Sequence, residues 1–340
     1  MYIIAECAQG YAQESLEESI SLAKWLVKSA KAGEANAVKF QLVIADELAC
    51  PKYQHFDLFK SLELGLNGWR EVNEVAIALK IDLIFDVFGK KSMSTVEELG
   101  VGTIKIHPTD FCNIDFLKHV SASNTIKHVV AGTGGATVKE IEQSLEILSK
   151  EKAVTLMHGF QGYPTPTADN CLQRLSILKK LAKQSQGKVE VGFADHSDPI
   201  SANSTHLAAV SIGYGASVLE KHITLARCLG LEDHESALSP DEFKVFVEVI
   251  RESSEALGDR IILDMNFKLP HSEQEYRKNI ARHVVSTKDL IPGQKIKNSD
   301  LCLKRTSCKK PLLKLSDVIG RKVASNILAN SPIIDEDLDQ

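Results

Sequence analysis

Eight short apolar runs recur along the 340-residue chain, and nearly every one ends on a polar or charged residue. The runs are Tyr2–Ile4, Ala37–Val38, Ile81–Phe85, Val101–Ile106, Ile126–Ala131, Val154–Met157, Val189–Ala194 and Ser217–Leu219. At or just past their ends stand Glu6, Lys39 with Gln41, Asp86, Lys105 with His107, Thr133, His158, Asp195 with His196, and Glu220 with Lys221 and His222. Strands that finish in chemistry, separated by helical stretches, predict a (β/α)8 barrel with all eight polar tips at one mouth. The helical stretches carry their own signals. Leu16, Ile20, Ala23, Val27 and Ala30 share a helical face, Ser15 with Glu18 forms a capping box, and Gly33 marks the stop. Thr137 with Glu140 repeats that box for a helix over 137–149. Ser239, Pro240, Asp241 and Glu242 open a helix over 240–257 that Gly258 ends. Shorter patterns fit 68–79, 92–100, 113–122, 170–185 and 199–214. The segment 42–67 is long for one helix and predicts an extra loop over the mouth.

A barrel takes about 250 residues, so a second module is expected. The barrel reads as 1–265, a polar stretch containing Pro270 reads as a linker over 266–281, and 282–340 breaks into short strands and turns. These are His283–Val285, a turn at Pro292-Gly293, Leu301–Arg305 and Ile333-Ile334. A β-rich module of that size has a marginal core and is expected to pack on the barrel or on a partner subunit. A formal charge of −5 gives no basic footprint for nucleic acid. No apolar stretch approaches the roughly 20 residues of a membrane span. The chain opens directly in a strand, with no signal-peptide pattern. Seven cysteines without a CxxC pair or metal spacing read as free thiols, pointing to the cytoplasm.

His196 and His222 end the seventh and eighth strands, which are neighbours in a barrel. Two imidazoles converging there suit a divalent metal such as Mn, Zn, Fe or Co, with open positions for water and substrate oxygen. Strand alternation puts Glu220 on the same face as His222 and Lys221 on the other. Lys39 and Lys105 interrupt apolar strands. A lysine inside a barrel must meet an anion or lose its proton. That leaves a phosphate or carboxylate substrate, a Schiff base, or an ion pair with Glu6 or Glu220. Glu6 is a general base, a ligand-orienting group or the partner of such a lysine. Tyr163, on the loop after the sixth strand, contacts a sugar ring or stiffens a turn. Asp233 binds sugar hydroxyls or is a solvated loop charge. Gly132-Thr133-Gly134-Gly135 offers backbone N–H groups to an anion.

In this order along nearly the whole chain, Ile4-Ala5-Glu6, Val38-Lys39-Phe40-Gln41, Lys105-Ile106, Tyr163-Pro164-Thr165-Pro166, Asp195-His196-Ser197, Glu220-Lys221-His222-Ile223-Thr224, Asp233-His234 and Lys304-Arg305 resemble the sialic acid synthases. The resemblance implies a TIM barrel with a C-terminal antifreeze-like (SAF) domain. It implies metal-dependent condensation of phosphoenolpyruvate with an N-acetylated hexose of the N-acetylmannosamine type. By motif, His196 and His222 would hold the divalent metal, Mn2+ first, with Mg2+, Co2+ or Zn2+ as alternatives. Lys39 and Lys105 would bind phosphoenolpyruvate, and Glu6 would orient the reacting water or aldehyde. Gln41, Tyr163 and Asp233 would contact the amino sugar, and Gln161 would be a further substrate-binding residue. Arg305 would reach it from the partner of a domain-swapped homodimer.

The chain departs from the family where phosphate is gripped by small hydroxyl and amide side chains. Those positions read Asp86, Pro108, Gly132, Gln161 and Ala194. A carboxylate beside a phosphate is unfavourable, and proline and alanine side chains donate nothing. Two alternatives follow: a metal-dependent aldolase or lyase with a non-phosphorylated, pyruvate-like donor, or a non-catalytic sugar-binding homologue.

Overall fold

The computed structural model describes residues 1–159, 162–201, 204–258 and 269–339. The chain divides into two compact units between Gly258 and Asp259. In the first, eight parallel strands close into a barrel: β1 (Tyr2–Glu6), β2 (Ala37–Gln41), β3 (Asp82–Val87), β4 (Thr103–Ile106), β5 (His128–Gly132), β6 (Ala153–His158), β7 (Val189–Asp195) and β8 (Val218–His222). Pairing of Glu6 with His222 across β1 and β8 closes the ring. Each expected strand is present. Every one is short and buried, so alternation sends one set of side chains inward and the other against the helices. The inward set low in the barrel is apolar, with Ile4, Ala37, Ile84, Val130, Met157 and Val218 packed together.

The helices are α1 (Leu16–Ala32), α2 (Ala45–Leu48), α3 (Phe56–Ser61), α4 (Gly65–Leu79), α5 (Lys90–Glu98), α6 (Ile114–Ala122), α7 (Val138–Leu148), α8 (Arg174–Gln184), α9 (His206–Gly213) and α10 (Pro240–Ala256). The capping boxes at Ser15, Thr137 and Ser239 all form. The apolar stripe of α1 buries Ala23, Leu26, Val27 and Ala30. The helix expected over 199–214 begins only at His206, because Asp198 Oδ1 accepts the Ile200 N–H at 2.8 Å and turns the chain first. Segment 42–67 is not a bare loop. It carries α2 and α3 at the mouth end, where Tyr11, just after β1, donates to the Leu62 carbonyl at 3.0 Å. Glu47 of α2 accepts the Lys91 and Ser92 N–H groups at 2.6 and 3.0 Å, capping α5.

The second unit has its own core of Val284, Leu290, Ile296, Val318, Val323 and Ile333. Its strands β9 (His283–Ser286) and β10 (Leu301–Lys304) pair antiparallel. The segment read as a linker corrects that reading: it contains helix α11 (His271–Ile280). Pro270 stands at the N-cap of α11, and the helix buries no residue and has only Tyr276 and Ile280 as large apolar positions, too few to make an apolar stripe. Residues 266–268 of that segment lie outside the described residues. Among the described residues, all seven cysteines are free, and no helix is long and apolar enough to cross a membrane.

Candidate active site

The mouth is assembled by register. Glu6 lies beside Lys39, Gln41 beside Asp86, Asp86 beside Lys105, and Ala194 beside Glu220. Lys39 is fully enclosed and pairs with Glu6, with Asp86 at 2.8 Å and with Glu220 at 3.8 Å. Lys105 donates to Glu220 at 2.6 Å. The lysines therefore meet carboxylates of the barrel itself, the ion-pair alternative left open by the sequence. Three carboxylates, Glu6, Asp86 and Glu220, face two ammonium groups, which leaves one negative charge in excess.

Burial would raise the Asp86 carboxyl, but Lys39 and Lys105 outweigh it and hold the group well below the usual carboxylate range. Glu220 is held down in the same way: burial opposes, and Lys105 and Lys39 prevail. Burial lowers Lys39 despite Asp86 and Glu220. For Lys105 burial acts downward too, yet Glu220 and Asp86 carry it above the ordinary lysine value. One oxygen each of Asp86 (Oδ1) and Glu220 (Oε2) is buried without a hydrogen bond. Beside this cluster lies a cavity of 270 Å3 lined by Lys105, His107, Thr109, Gly132, Ala194 and His196, among others.

His196 and His222 stand with ring centroids 5.0 Å apart. Tyr163 approaches both rings edge-on, at 5.7 and 5.8 Å, and is 40% exposed. Burial pushes His196 down to about 4 and His222 well below the ordinary histidine value, so both are neutral imidazoles with lone pairs to offer. Asp233 Oδ2 lies 3.9 Å from His222 Nδ1. Burial, with Glu232 and Glu235 nearby, pushes the Asp233 carboxyl up to about 7. Two adjacent neutral imidazoles fit an open metal site. Among the described residues no cluster of three or more His, Cys, Asp or Glu closes a metal shell, so other positions would fall to substrate or water. The His196 backbone is tightly fixed. Its carbonyl accepts from Thr165 N at 2.9 Å and Ser236 Oγ at 3.0 Å. Asp195 accepts the Ser197 N–H at 2.8 Å, while Lys221 donates to the Ser197 carbonyl at 3.0 Å.

Glu6, Lys39, Gln41, Lys105, Tyr163, His196, His222 and Asp233 thus all belong to the barrel unit and its loops, at or just beyond the strand tips. Gln41 accepts from Gln9 Nε2 at 2.7 Å. Gln161 lies outside the described residues. Arg305 is exposed on the second unit, just after β10. Sequence reasoning counted Asp86 as a lost phosphate contact and passed over its partnership with Lys39. It also gave His107 no role, although His107 follows Lys105 by two residues and so shares its face.

Eight parallel strands closing on a charged mouth define a (β/α)8-barrel enzyme. Comparison with known proteins narrows the class. The model of the NeuB family matches residues 26–262. The chain is 28% identical to the N,N'-diacetyllegionaminic acid synthase of Campylobacter jejuni, over 90% of this chain and 92% of that protein. It is 26% identical to the N-acetylneuraminic acid (sialic acid) synthetase of Leptospira borgpetersenii, solved in complex with citrate, with a TM-score of 0.69 over 82% of this chain and 92% of that one. A spore coat polysaccharide biosynthesis protein of Bacillus subtilis shares the fold, with a TM-score of 0.63 at 23% identity, over 100% of this chain and 95% of that one. The chain belongs to the NeuB family and is a synthase of the C–C bond-forming class.

Proposed function

We propose that the chain condenses phosphoenolpyruvate with an open-chain N-acetylated hexose to give a nonulosonic acid and inorganic phosphate. The observation that carries this reading is the meeting of the Lys105-lined cavity with the His196–His222 pair, since His196 lines that cavity. In this reading a donor subsite lies beside an electrophile subsite. A divalent cation held by His196 and His222, Mn2+ first, would supply Lewis acidity toward the sugar carbonyl oxygen. C3 of the donor bonds to the sugar aldehyde carbon, water adds at C2, and C–O cleavage releases phosphate. Lys105 and Lys39 neutralise charge on the donor as it develops. Glu6 orients the attacking water or the aldehyde. Gln41, Tyr163 and Asp233 hold the amino sugar, and Gln161 is a further substrate contact. Arg305 of the second unit, read as an antifreeze-like module, serves the partner's site in a cytoplasmic homodimer.

The test is phosphate release from phosphoenolpyruvate with added Mn2+ and a panel of N-acetylated hexoses, with His196→Ala as the blank. Metal-dependent release with one sugar is expected. Folded, metal-loaded protein that releases none with any sugar refutes the reading. One observation favours a second reading, a pyruvate-like donor without phosphate: Asp86 already occupies Lys39 and leaves the cluster negative. Product formed from pyruvate and the same sugars, with no phosphoenolpyruvate turnover, would select it. The reverse outcome would exclude it.

A further inference from the structure

His107 is unexplained by the ion-pair cluster, yet it is built into the cavity wall. It lies two residues beyond Lys105, on the same face, and both line the 270 Å3 space. Its Nε2 is buried and makes no hydrogen bond. The nearest anion, Asp86 Oδ2, is 3.6 Å away, too far for a hydrogen bond but within ion-pair range. Asp86 is itself fixed by Lys39 at 2.8 Å, so it cannot approach the ring without leaving the lysine. A carboxylate on that side favours the tautomer protonated at Nε2. No hydrogen bond holds that N–H, so a turn of the ring can carry it from Asp86 to an anion in the cavity.

The surroundings make that N–H scarce. Lys105 is already committed to Glu220. Pro108, Gly132 and Ala194, which share the cavity wall, have no side-chain donor, and Thr109 adds a single hydroxyl. The Gly134 and Gly135 N–H groups donate to nothing among the described residues, but they are backbone and serve any anion alike.

We propose that His107, its tautomer set by the nearby Asp86, is a specificity-determining residue of the donor subsite and turns its imidazole N–H to the anionic group of the three-carbon acid bound there. This rests on the proposed function only in taking that cavity as the donor's place. His107 and Asp86 act as one unit. The carboxylate that would oppose a phosphate is tied to Lys39, and the imidazole adds a donor to a wall whose one side-chain hydroxyl among the described residues is that of Thr109.

The experiment is calorimetric titration of the full-length protein with phosphoenolpyruvate and, separately, with pyruvate, comparing wild type, His107→Ala and His107→Gln. Loss of one hydrogen bond to a charged ligand corresponds to about 10- to 100-fold weaker binding of the preferred anion by His107→Ala. Glutamine keeps an N–H donor and should recover most of that loss. The KM of the sugar should not move. His107→Ala binding both anions within about twofold of wild type overturns the proposal, the expected loss being at least tenfold. Wild type that binds neither anion also overturns it. If His107→Ala fails to fold, a His107→Gln affinity no better than that of a folded His107→Leu overturns it as well. His107-dependent anion binding in protein that turns over no sugar would uphold this assignment and refute the synthase reading, so the two fail separately.

Discussion

Lys39→Met tests whether the mouth is held together by charge balance. The side chain is about as long as lysine and can stay in place, so the substitution removes charge without opening a large void. Glu6, Asp86 and Glu220 would then face Lys105 alone, and the excess of one negative charge becomes two. Lys39 is 1% exposed, so water cannot step in. Breaking a buried pair by removing one partner costs about 3–5 kcal/mol. At about 2–4 °C per kcal/mol for a unit of this size, the melting temperature should fall by roughly 6–20 °C. Asp86→Asn is the contrast. It costs Lys39 a charged hydrogen bond of about 1.5–3 kcal/mol, but it brings the cluster to neutrality and leaves Lys39 paired with Glu6. Its loss should be clearly the smaller. The pH dependence follows from Asp86, whose carboxyl the folded state holds well down. Such a group stabilises above its unfolded value of about 3.9 and loses that contribution as pH falls toward its folded value. Lys39→Met has already lost one of the two cations responsible. The gap between it and wild type should therefore be full at neutral pH and begin to narrow only as pH falls below about 4. Thermal unfolding of the three proteins from about pH 2.5 to 7.5 decides the matter. Equal melting temperatures for wild type and Lys39→Met at pH 7, or a greater loss for Asp86→Asn, would refute the reasoning.

Two further outcomes are expected. Lys221→Met should leave Asp195 as a lone buried carboxylate and cost about 3–5 kcal/mol, and it should weaken metal binding by releasing the Ser197 backbone next to His196; unchanged metal affinity by equilibrium dialysis would show that this clamp does not position the ligand. Gly132→Ser should be tolerated, because a Cβ there meets Ile106 O and Pro108 Cδ at 3.4 Å and Lys105 Cε at 3.7 Å, all ordinary contacts. It should lower the KM for phosphoenolpyruvate by restoring a hydroxyl to the cavity, and a raised or unchanged KM would speak against phosphate lying there.

The barrel was legible because its signals are local. Short apolar runs, capping boxes at Ser15, Thr137 and Ser239, and a polar residue at each strand tip do not depend on distant partners. The pairing of His196 with His222 was legible for the same reason, since strand order makes β7 and β8 neighbours. Helix α11 was not, because a helix without an apolar stripe looks like a linker. The charge cluster was only half legible. Lys39 and Lys105 announce themselves as lysines in apolar strands. Which carboxylate each one meets depends on the barrel's register and closure, which bring Asp86 beside Lys105 and carry Glu220 across the interior.

Asp86 shows why a motif comparison alone misjudges such a site. Taken singly, a carboxylate in place of a phosphate-binding hydroxyl looks like loss of function. In the barrel it is one member of a set: it neutralises Lys39, it stands 3.6 Å from an imidazole two residues past Lys105, and it is 1% exposed. A buried carboxylate with no role would be a standing cost, met only by pairing. Here Lys39 supplies that pairing, Lys105 adds its nearby charge, and a histidine whose Nε2 has no hydrogen bond stands within ion-pair range. The economical explanation is that Asp86 and His107 work together, which makes their coupling measurable. A double-mutant cycle on donor affinity with Asp86→Asn and His107→Ala should depart from additivity, whereas two independent drifts would add.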